Sequence, residues 1–316
     1  MVGIVCLLYE QGLMNIILVT GAHGLLGRNL LPALRDSFKG EILAPSRSEL
    51  DLMDADKVKS YLEKKNPDMI IHLAARVGGI QANIDAPVEF LIENQKININ
   101  LIHSAYESGV PALLNLGTSC MYPRDRSSLS ETDLLTGPLE PTNEGYALAK
   151  IAAARLCQYI SARRHYTYRT IIPCNLYGPY DHFEESKSHL VPAVIKKLDD
   201  AKRAGVSEVT IWGDGKARRE FMYIGDLVDF ILFALPKIDT LPDLLNVGLG
   251  YDYSINEYYE AAAKVVGFEG KFTHDLKRPA GMPKKLLDIS RLKALGWQAK
   301  TDLQAGLEKT YQYYLT

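Results

Sequence analysis

The chain has 316 residues, 47% apolar and 23% charged, with a formal net charge of −2. This is an ordinary globular composition, long enough for one large domain or two closely joined ones. Charges of both signs are interspersed, so there is no broad basic field for nucleic acid or an anionic membrane.

Residues Met1 to Leu13 are partly apolar but lack a basic start, are interrupted by Glu10 and Gln11, and are too short to span a bilayer. They read as an N-terminal extension ahead of a second methionine, Met14. Asn15 to Thr20 is a continuous apolar run, the pattern of a strand buried on both faces of a parallel sheet. A glycine-rich turn follows, then a helix to about Phe38. Further on come a short strand (Glu41 to Pro45), a helix (Ala55 to Lys65), a third strand (Met69 to Leu73) and a long helix (Val88 to Ser108). A fourth strand (Ala112 to Gly117), a helix (Asn143 to Arg164) and a fifth strand (Arg169 to Pro173) complete this half. Strands alternating with helices predict right-handed crossovers and an α/β fold with a doubly wound parallel (Rossmann) sheet over residues 14–178.

After Asn175 the pattern loosens. His182 to Ser188 reads as a polar loop, Leu190 to Ala204 as a helix, Val209 to Trp212 as a strand and Gly225 to Leu235 as a helix. Ala261 to Val266 and Asp302 to Tyr314 are also helical. Residues 179–316 are expected to form mainly a smaller α/β substrate-binding lobe, with some segments returning to the first domain. Cys6, Cys120, Cys157 and Cys174 are widely spaced and show no metal-ligand spacing. Disulfides and structural zinc are therefore not expected, no metal site is predicted, and a reducing cytoplasm is the default setting.

Gly21-Ala22-His23-Gly24-Leu25-Leu26-Gly27 lies between the first strand and first helix. Glycines there let the backbone approach a pyrophosphate, and the helix N-terminus offers free N–H groups to it. At the end of the second strand, where NAD binders place an acid for the ribose hydroxyls, this chain has Ala44-Pro45-Ser46-Arg47-Ser48. Arg47 can pair with a 2′-phosphate, so NADP(H) is the expected cofactor. In the following Asp51-Leu52-Met53-Asp54, either an acid contacts adenine or Asp54 caps the next helix.

Tyr146 and Lys150 lie four apart on a predicted helix and so share one face. A neighbouring ammonium and the charge of a nicotinamide favour the phenolate of Tyr146, whose ordinary pKa is about 10. Thr118, at the end of the fourth strand, is placed to hold a carbonyl oxygen. Two residues on, Cys120 adds a thiol that simple ketone reduction does not need. A thiolate can remove a proton next to a ketone, and His189, opening a helix after Tyr177-Gly178-Pro179, is the best-placed second acid/base.

These residues resemble the GDP-L-fucose synthase family, the GDP-4-keto-6-deoxy-D-mannose 3,5-epimerase/4-reductases of the extended short-chain dehydrogenases. The resemblance runs from Met14 to Leu315. It is carried by Val77-Gly78-Gly79-Ile80, Ser119-Cys120-Met121-Tyr122-Pro123, Leu139 to Glu144, Asn175-Leu176-Tyr177-Gly178-Pro179, Arg219-Glu220-Phe221 and Lys285-Leu286-Leu287-Asp288. It implies that Cys120 and His189 are the epimerisation pair and that Thr118, Tyr146 and Lys150 serve reduction. It further implies cofactor contacts from Gly21, His23, Gly24, Leu25, Leu26, Gly27, Arg47, Asp54, Lys150, Asn175 and His189. Substrate contacts are implied for Lys197, Trp212, Arg219 and Lys285, and a homodimer through the helices at 88–108 and 143–164. Thr118 stands where the family has serine, Gly145 where it has proline (loosening the helix start), His23 and Lys197 where arginines are frequent.

The implied activity is NADPH-dependent epimerisation at carbons 3 and 5, then reduction at carbon 4, to give GDP-L-fucose. A 4-reductase of a related GDP-4-keto sugar, such as a deoxyheptose, uses the same residues. Ser119 and Cys120 stand where dehydratases need acids, and a 4-epimerase needs no thiol at 120. A non-catalytic NADP-binding sensor is the alternative from another class, against which intact Thr118, Tyr146 and Lys150 argue.

Overall fold

The computed structural model describes residues 14–184, 188–277 and 283–316; the expected extension at 1–13 and positions 185–187 of the polar loop lie outside them. The first half runs β1 (Ile16–Thr20), α1 (Leu25–Ser37), β2 (Glu41–Leu43), α2 (Ala55–Lys65), β3 (Met69–His72), α3 (Ile80–Asp85), α4 (Pro87–Glu107), β4 (Ala112–Leu116), β5 (Ser128–Leu129), α5 (Glu144–Ser161) and β6 (Thr167–Pro173). The second half runs β7 (Asn175–Tyr177), α6 (Leu190–Arg203), β8 (Glu208–Trp212), β9 (Arg218–Arg219), β10 (Phe221–Tyr223), α7 (Ile224–Ala234), β11 (Leu244–Val247), β12 (Tyr253–Ser254), α8 (Ile255–Val266), β13 (Lys271–Asp275), β14 (Lys284–Leu287), α9 (Ser290–Ala294) and α10 (Leu303–Tyr314).

Six strands form the main sheet in the order β11-β6-β4-β3-β1-β2, with every neighbouring pair parallel. The apolar runs explain the double winding. Ile17 and Val19 of β1 enter one hydrophobic cluster and Leu18 the other; Met69 and Ile71 against Ile70, and Leu114 against Leu113, divide in the same way. Side chains alternate across a strand, so both faces of the sheet must be covered. Helices α1 and α7 pack together over one face, and α4 packs between α2 and α5 over the other. The crossovers reverse direction between β1 and β3, and ligands of such sheets bind outside the carboxyl ends of the strands at that point.

The strand after α5 does not stop at the sheet. Cys174 alone separates β6 from β7, and β7 pairs with β10 rather than with the main sheet. Beyond it α6, α8 and β8 enclose a third cluster around Tyr177, Ile195, Leu198, Tyr258 and Phe268. A four-stranded sheet, β12-β9-β14-β5, joins this region to the segment after β4. Other late segments return to the first core. β11 is the edge strand beside β6, and Trp297 packs on Phe230 with its indole N–H donating to Asp229 at 2.8 Å.

Several elements differ from the sequence expectation, among them strands β5, β7, β9, β10, β12, β13 and β14 and helix α9, none of which it marks. Helix α8 begins at Ile255, six residues earlier than its apolar pattern suggests, because Ser254 and Glu257 form a capping box. The short helix α3 precedes α4. Strand β11 was hidden because Asn246 interrupts its apolar run; that side chain is buried and fully partnered, accepting from Tyr122 Oη at 2.6 Å and donating to the carbonyls of Leu129 and Asp288. No helix among the described residues is long and apolar enough to cross a membrane.

Candidate active site

At the β1–α1 turn the glycines are set by contact distances. Gly21 has φ +72°, and a Cβ there would lie 2.6 Å from the backbone nitrogen of Ala74 after β3. A Cβ on Gly27 would lie 2.4 Å from the carbonyl oxygen of Gly21. The turn thus presses against both β3 and the first turn of α1. Gly24 caps α1 without a side-chain hydrogen bond to the helix, leaving the first-turn N–H groups to face the cleft. This cradle fits a pyrophosphate, with the positive helix end toward it.

The cleft is about 1190 Å³ and follows the carboxyl ends of the central strands. Gly21, His23, Gly24, Leu25, Leu26, Gly27 and Arg47 line its nucleotide end. Arg47 is exposed and its Nε sits 3.9 Å from Asp51. Glu49 receives the backbone N–H of Ser46 at 2.7 Å, which holds the β2–α2 loop in shape. Asp54 is not among the lining residues: it caps α2 by accepting from Lys57 N at 3.1 Å, the second of its two expected roles. Asp51 and Met53 line the wall instead.

Thr118, Cys120 and Tyr146 line the middle of the cleft. Thr118 ends the extended segment after β4 and caps a 3-10 turn at Ser119–Met121, its Oγ1 accepting from Cys120 N at 3.3 Å. That cap aims the residue-120 side chain inward. Cys120 Sγ receives Nδ2 of Asn143 at 3.3 Å and faces Nζ of Lys285 at 3.9 Å. Lys150 is buried behind the wall, with Nζ donating to the Leu116 carbonyl at 2.8 Å. Burial pushes the Lys150 ammonium down to about 8. Burial, and then neighbouring Cys120, push the Tyr146 phenol above its ordinary value. The Lys150 ammonium is turned to Leu116, and burial of the ring decides the direction. Tyr146 therefore stands as a protonated acid at neutral pH, the form a proton donor needs.

Beneath the site lies a buried polar chain. His72 Nδ1 is 2.8 Å from Thr20 Oγ1 and its Nε2 is 3.1 Å from Asn98 Oδ1. Burial, and then the charge of Lys150, push this histidine down to about 3, so it is neutral. Gly145 lies where the start of α5 meets α4. A Cβ there would lie 3.1 Å from the Pro87 carbonyl oxygen and 3.2 Å from Leu91 Cβ, so the glycine lets α5 press on the first turn of α4.

At the far end His189 is the N-cap of α6, and with Asn175, Arg219 and Lys285 it lines the cleft. Arg219 and Lys285 are register partners on the parallel strands β9 and β14. Lys197 and Trp212 are not among the lining residues. Lys197 Nζ donates to the Thr210 carbonyl, and Trp212 ends β8 at 56% exposed. Residues with no expected role also line the cleft: Asn143, Glu140, Thr142, and the Arg76–Glu93 pair at 2.5 Å. Asn143 lies inside a stretch already singled out by resemblance, three residues before Tyr146, and only the fold brings it to Cys120.

The arrangement puts a thiol with two nitrogen donors and a protonated phenol around one space beside a dinucleotide cradle, with a buried ammonium behind the wall. Over residues 17–248 the chain matches the NAD dependent epimerase/dehydratase family. It is 52% identical over 301 residues to the GDP-L-colitose synthase of Yersinia pseudotuberculosis, covering 95% of this chain and 97% of that one. It is 46% identical over 302 residues to the GDP-L-fucose synthase of Azorhizobium caulinodans, covering 95% and 96%. Among solved structures, the GDP-mannoheptose C4 reductase of Campylobacter jejuni with NADP bound superposes at a TM-score of 0.88, with 28% identity and coverage of 96% and 99%.

Proposed function

Because the chain belongs to the NAD dependent epimerase/dehydratase family, we propose that it is an NADPH-dependent enzyme that epimerises GDP-4-keto-6-deoxy-D-mannose at carbons 3 and 5 and reduces it at carbon 4, giving GDP-L-fucose. The observation that carries this reading is Cys120 Sγ, held by Asn143 and facing Lys285, in the cleft that Tyr146 also lines. Reduction alone needs no thiol there.

The keto group at carbon 4 acidifies the hydrogens on carbons 3 and 5. The Cys120 thiolate removes each, its charge held beforehand by the Asn143 amide and passing to the enolate as the sulfur takes the proton. His189 returns each proton from the other face. Such acid/base steps are worth ~10²–10⁴ in rate apiece. Thr118 and Tyr146 hold the oxygen at carbon 4, first as enolate, then as alkoxide, where oriented donors count most. NADPH bound at the glycine cradle supplies the hydride for carbon 4, and Tyr146 gives its proton to the oxygen. Lys150 keeps a positive charge behind the wall as the phenol loses that proton. Arg219 and Lys285 take the diphosphate end of the substrate.

Residues 14–178 then serve as the NADP-binding domain and 179–316 mainly as the substrate lobe. Exposed Val88, Ile92 and Ile99 on α4, with Leu148 and Tyr159 on α5, support a homodimer through these helices; sedimentation as a monomer at micromolar concentration would refute it. The expected compartment is the cytoplasm.

The experiment is NADPH oxidation with GDP-4-keto-6-deoxy-D-mannose and NMR of the product. A fucose-configured product supports the reading; absence of turnover sinks it. A second reading, reduction at carbon 4 of a related GDP-4-keto sugar such as a deoxyheptose, with or without epimerisation, is favoured by the similarity to a GDP-L-colitose synthase and a GDP-mannoheptose C4 reductase. The same spectra with a GDP-4-keto deoxyheptose decide between them.

A further inference from the structure

Glu220 is 1% exposed and has no place in the chemistry above. Among the described residues, its carboxylate accepts hydrogen bonds from backbone N–H groups alone. Oε1 accepts from Leu249 at 2.6 Å and Gly250 at 2.9 Å, and Oε2 accepts from Leu287 at 3.0 Å. A Cβ on Gly248 would lie 2.4 Å from Oε1, so the loop after β11 is wrapped closely round the carboxylate. The backbone carbonyl of Glu220 accepts from Asn175 Nδ2 at 3.0 Å, and Tyr258 Oη donates to the Arg219 carbonyl at 3.0 Å.

What these bonds hold is the phosphate end of the cleft. Leu287 lies two residues beyond Lys285 on β14, and residues two apart on a strand point to the same face. Arg219 precedes Glu220 directly and pairs in register with Lys285. Two cleft residues, Arg219 and Lys285, are thus anchored close to one buried carboxylate, whereas Asn175 is held by the Glu220 main-chain carbonyl, which the side chain's ionisation does not alter.

We propose that Glu220 is a positioning residue: its carboxylate, by accepting from the loop after β11 and from β14 together, fixes Arg219 and Lys285 for a nucleoside-diphosphate ligand, and only its ionised form does so. All three bonds require lone pairs. An amide puts an N–H donor where one oxygen accepts and breaks that bond, and a protonated carboxyl keeps the contacts only as neutral hydrogen bonds, about half as strong. Burial pushes this group up to about 7 against the three N–H bonds that pull it down, and nearby Asp252 adds to the rise. Asp252 is itself paired with Arg218 at 2.6 Å and Lys284 at 3.5 Å. Cys174 and Tyr251 are the other titratable groups facing it, and both are held protonated, chiefly by burial. The carboxylate is therefore the member of this set that changes charge near neutrality.

This inference rests on the nucleotide-sugar reading. The test is the dissociation constant of GDP-mannose, whose diphosphate diester does not titrate in this range, measured by calorimetry from pH 8 to pH 6 beside that of NADPH. If only ionised Glu220 supports binding, wild-type Kd for GDP-mannose rises about tenfold across that interval. Glu220→Gln should bind GDP-mannose at least about tenfold more weakly at pH 8, with that pH dependence gone and NADPH affinity within about twofold. In turnover the loss should fall on KM rather than kcat. Glu220→Asp, which keeps the charge on a shorter stem, should keep a pH dependence. A wild-type Kd flat from pH 8 to 6, a Gln variant matching wild type, or parallel loss of NADPH affinity overturns the proposal; the wild-type arm stands even if the Gln variant does not fold. If wild type binds NADPH but no GDP-mannose at any pH, the nucleotide-sugar reading itself has failed.

Discussion

Replacing Lys150 by methionine tests whether its ammonium is held in the protein against a desolvation cost. The side chain is 1% exposed, and burial takes it from an ordinary 10.5 down to about 8. At about 1.4 kcal/mol for each pH unit, that difference corresponds to about 3 kcal/mol. Between pH 8 and 10.5 the unfolded chain keeps the lysine proton and the folded chain gives it up. The unfolded state then binds more protons, so this residue's contribution to stability rises with pH and is lost as pH falls through 8. Buried tyrosines titrate in the opposite sense, but do so in both proteins. The assay is urea unfolding of cofactor-free wild type and Lys150→Met at pH 7.5 and 10.5. Wild-type stability minus variant stability should climb by about 3 kcal/mol across that interval. Parallel curves would mean that Lys150 is hydrated in solution, and with them would go the account of a charge stored behind Tyr146.

Tyr146→Phe should abolish NADPH oxidation while leaving solvent-deuterium incorporation at carbons 3 and 5 partly intact; reduction near the wild-type rate would remove the phenol as the acid. Cys120→Ser should lose incorporation at both carbons, because a serine hydroxyl is a far weaker acid than a thiol; continued formation of GDP-L-fucose would return Cys120 to a packing role. Arg47→Ala should weaken NADPH by about 1.5–3 kcal/mol, the scale of a hydrogen bond to a charged group, and leave NADH unchanged in fluorescence titrations. Equal affinity of wild type for both cofactors would contradict it. Asn246→Leu should cost about 3–6 kcal/mol in urea unfolding, since Tyr122 Oη and the carbonyls of Leu129 and Asp288 each lose a buried partner.

The parts legible in the sequence are those whose physics is local. A buried strand, three glycines and a helix start are contiguous, and their spacing carries the contacts at Gly21 and Gly27. Tyr146 and Lys150 share a helix face for the same reason. Asn143 could be singled out only as part of a motif, because its bond to the sulfur crosses 23 positions of chain. The tie from Lys150 to Leu116 crosses 34 and needs α5 laid on the sheet. Strand β11 was illegible because an asparagine in a strand is unfavourable until Tyr122 and two carbonyls surround it. The rise in the Tyr146 phenol likewise follows from packing density around the ring, which no spacing encodes.

The pairing of Lys285 with Arg219 has a consequence for divergence. The two cations are rungs of a strand ladder, and a one-position slip of β14 would turn Lys285 to the other face. Under the proposed function, keeping that register keeps the grip on a diphosphate whatever sugar is attached. Cys120, Asn143 and His189 sit instead on two 3-10 turns and a helix start, where single substitutions leave the ladder intact. A lineage can therefore change which ketone it processes one side chain at a time without relearning how to hold the nucleotide.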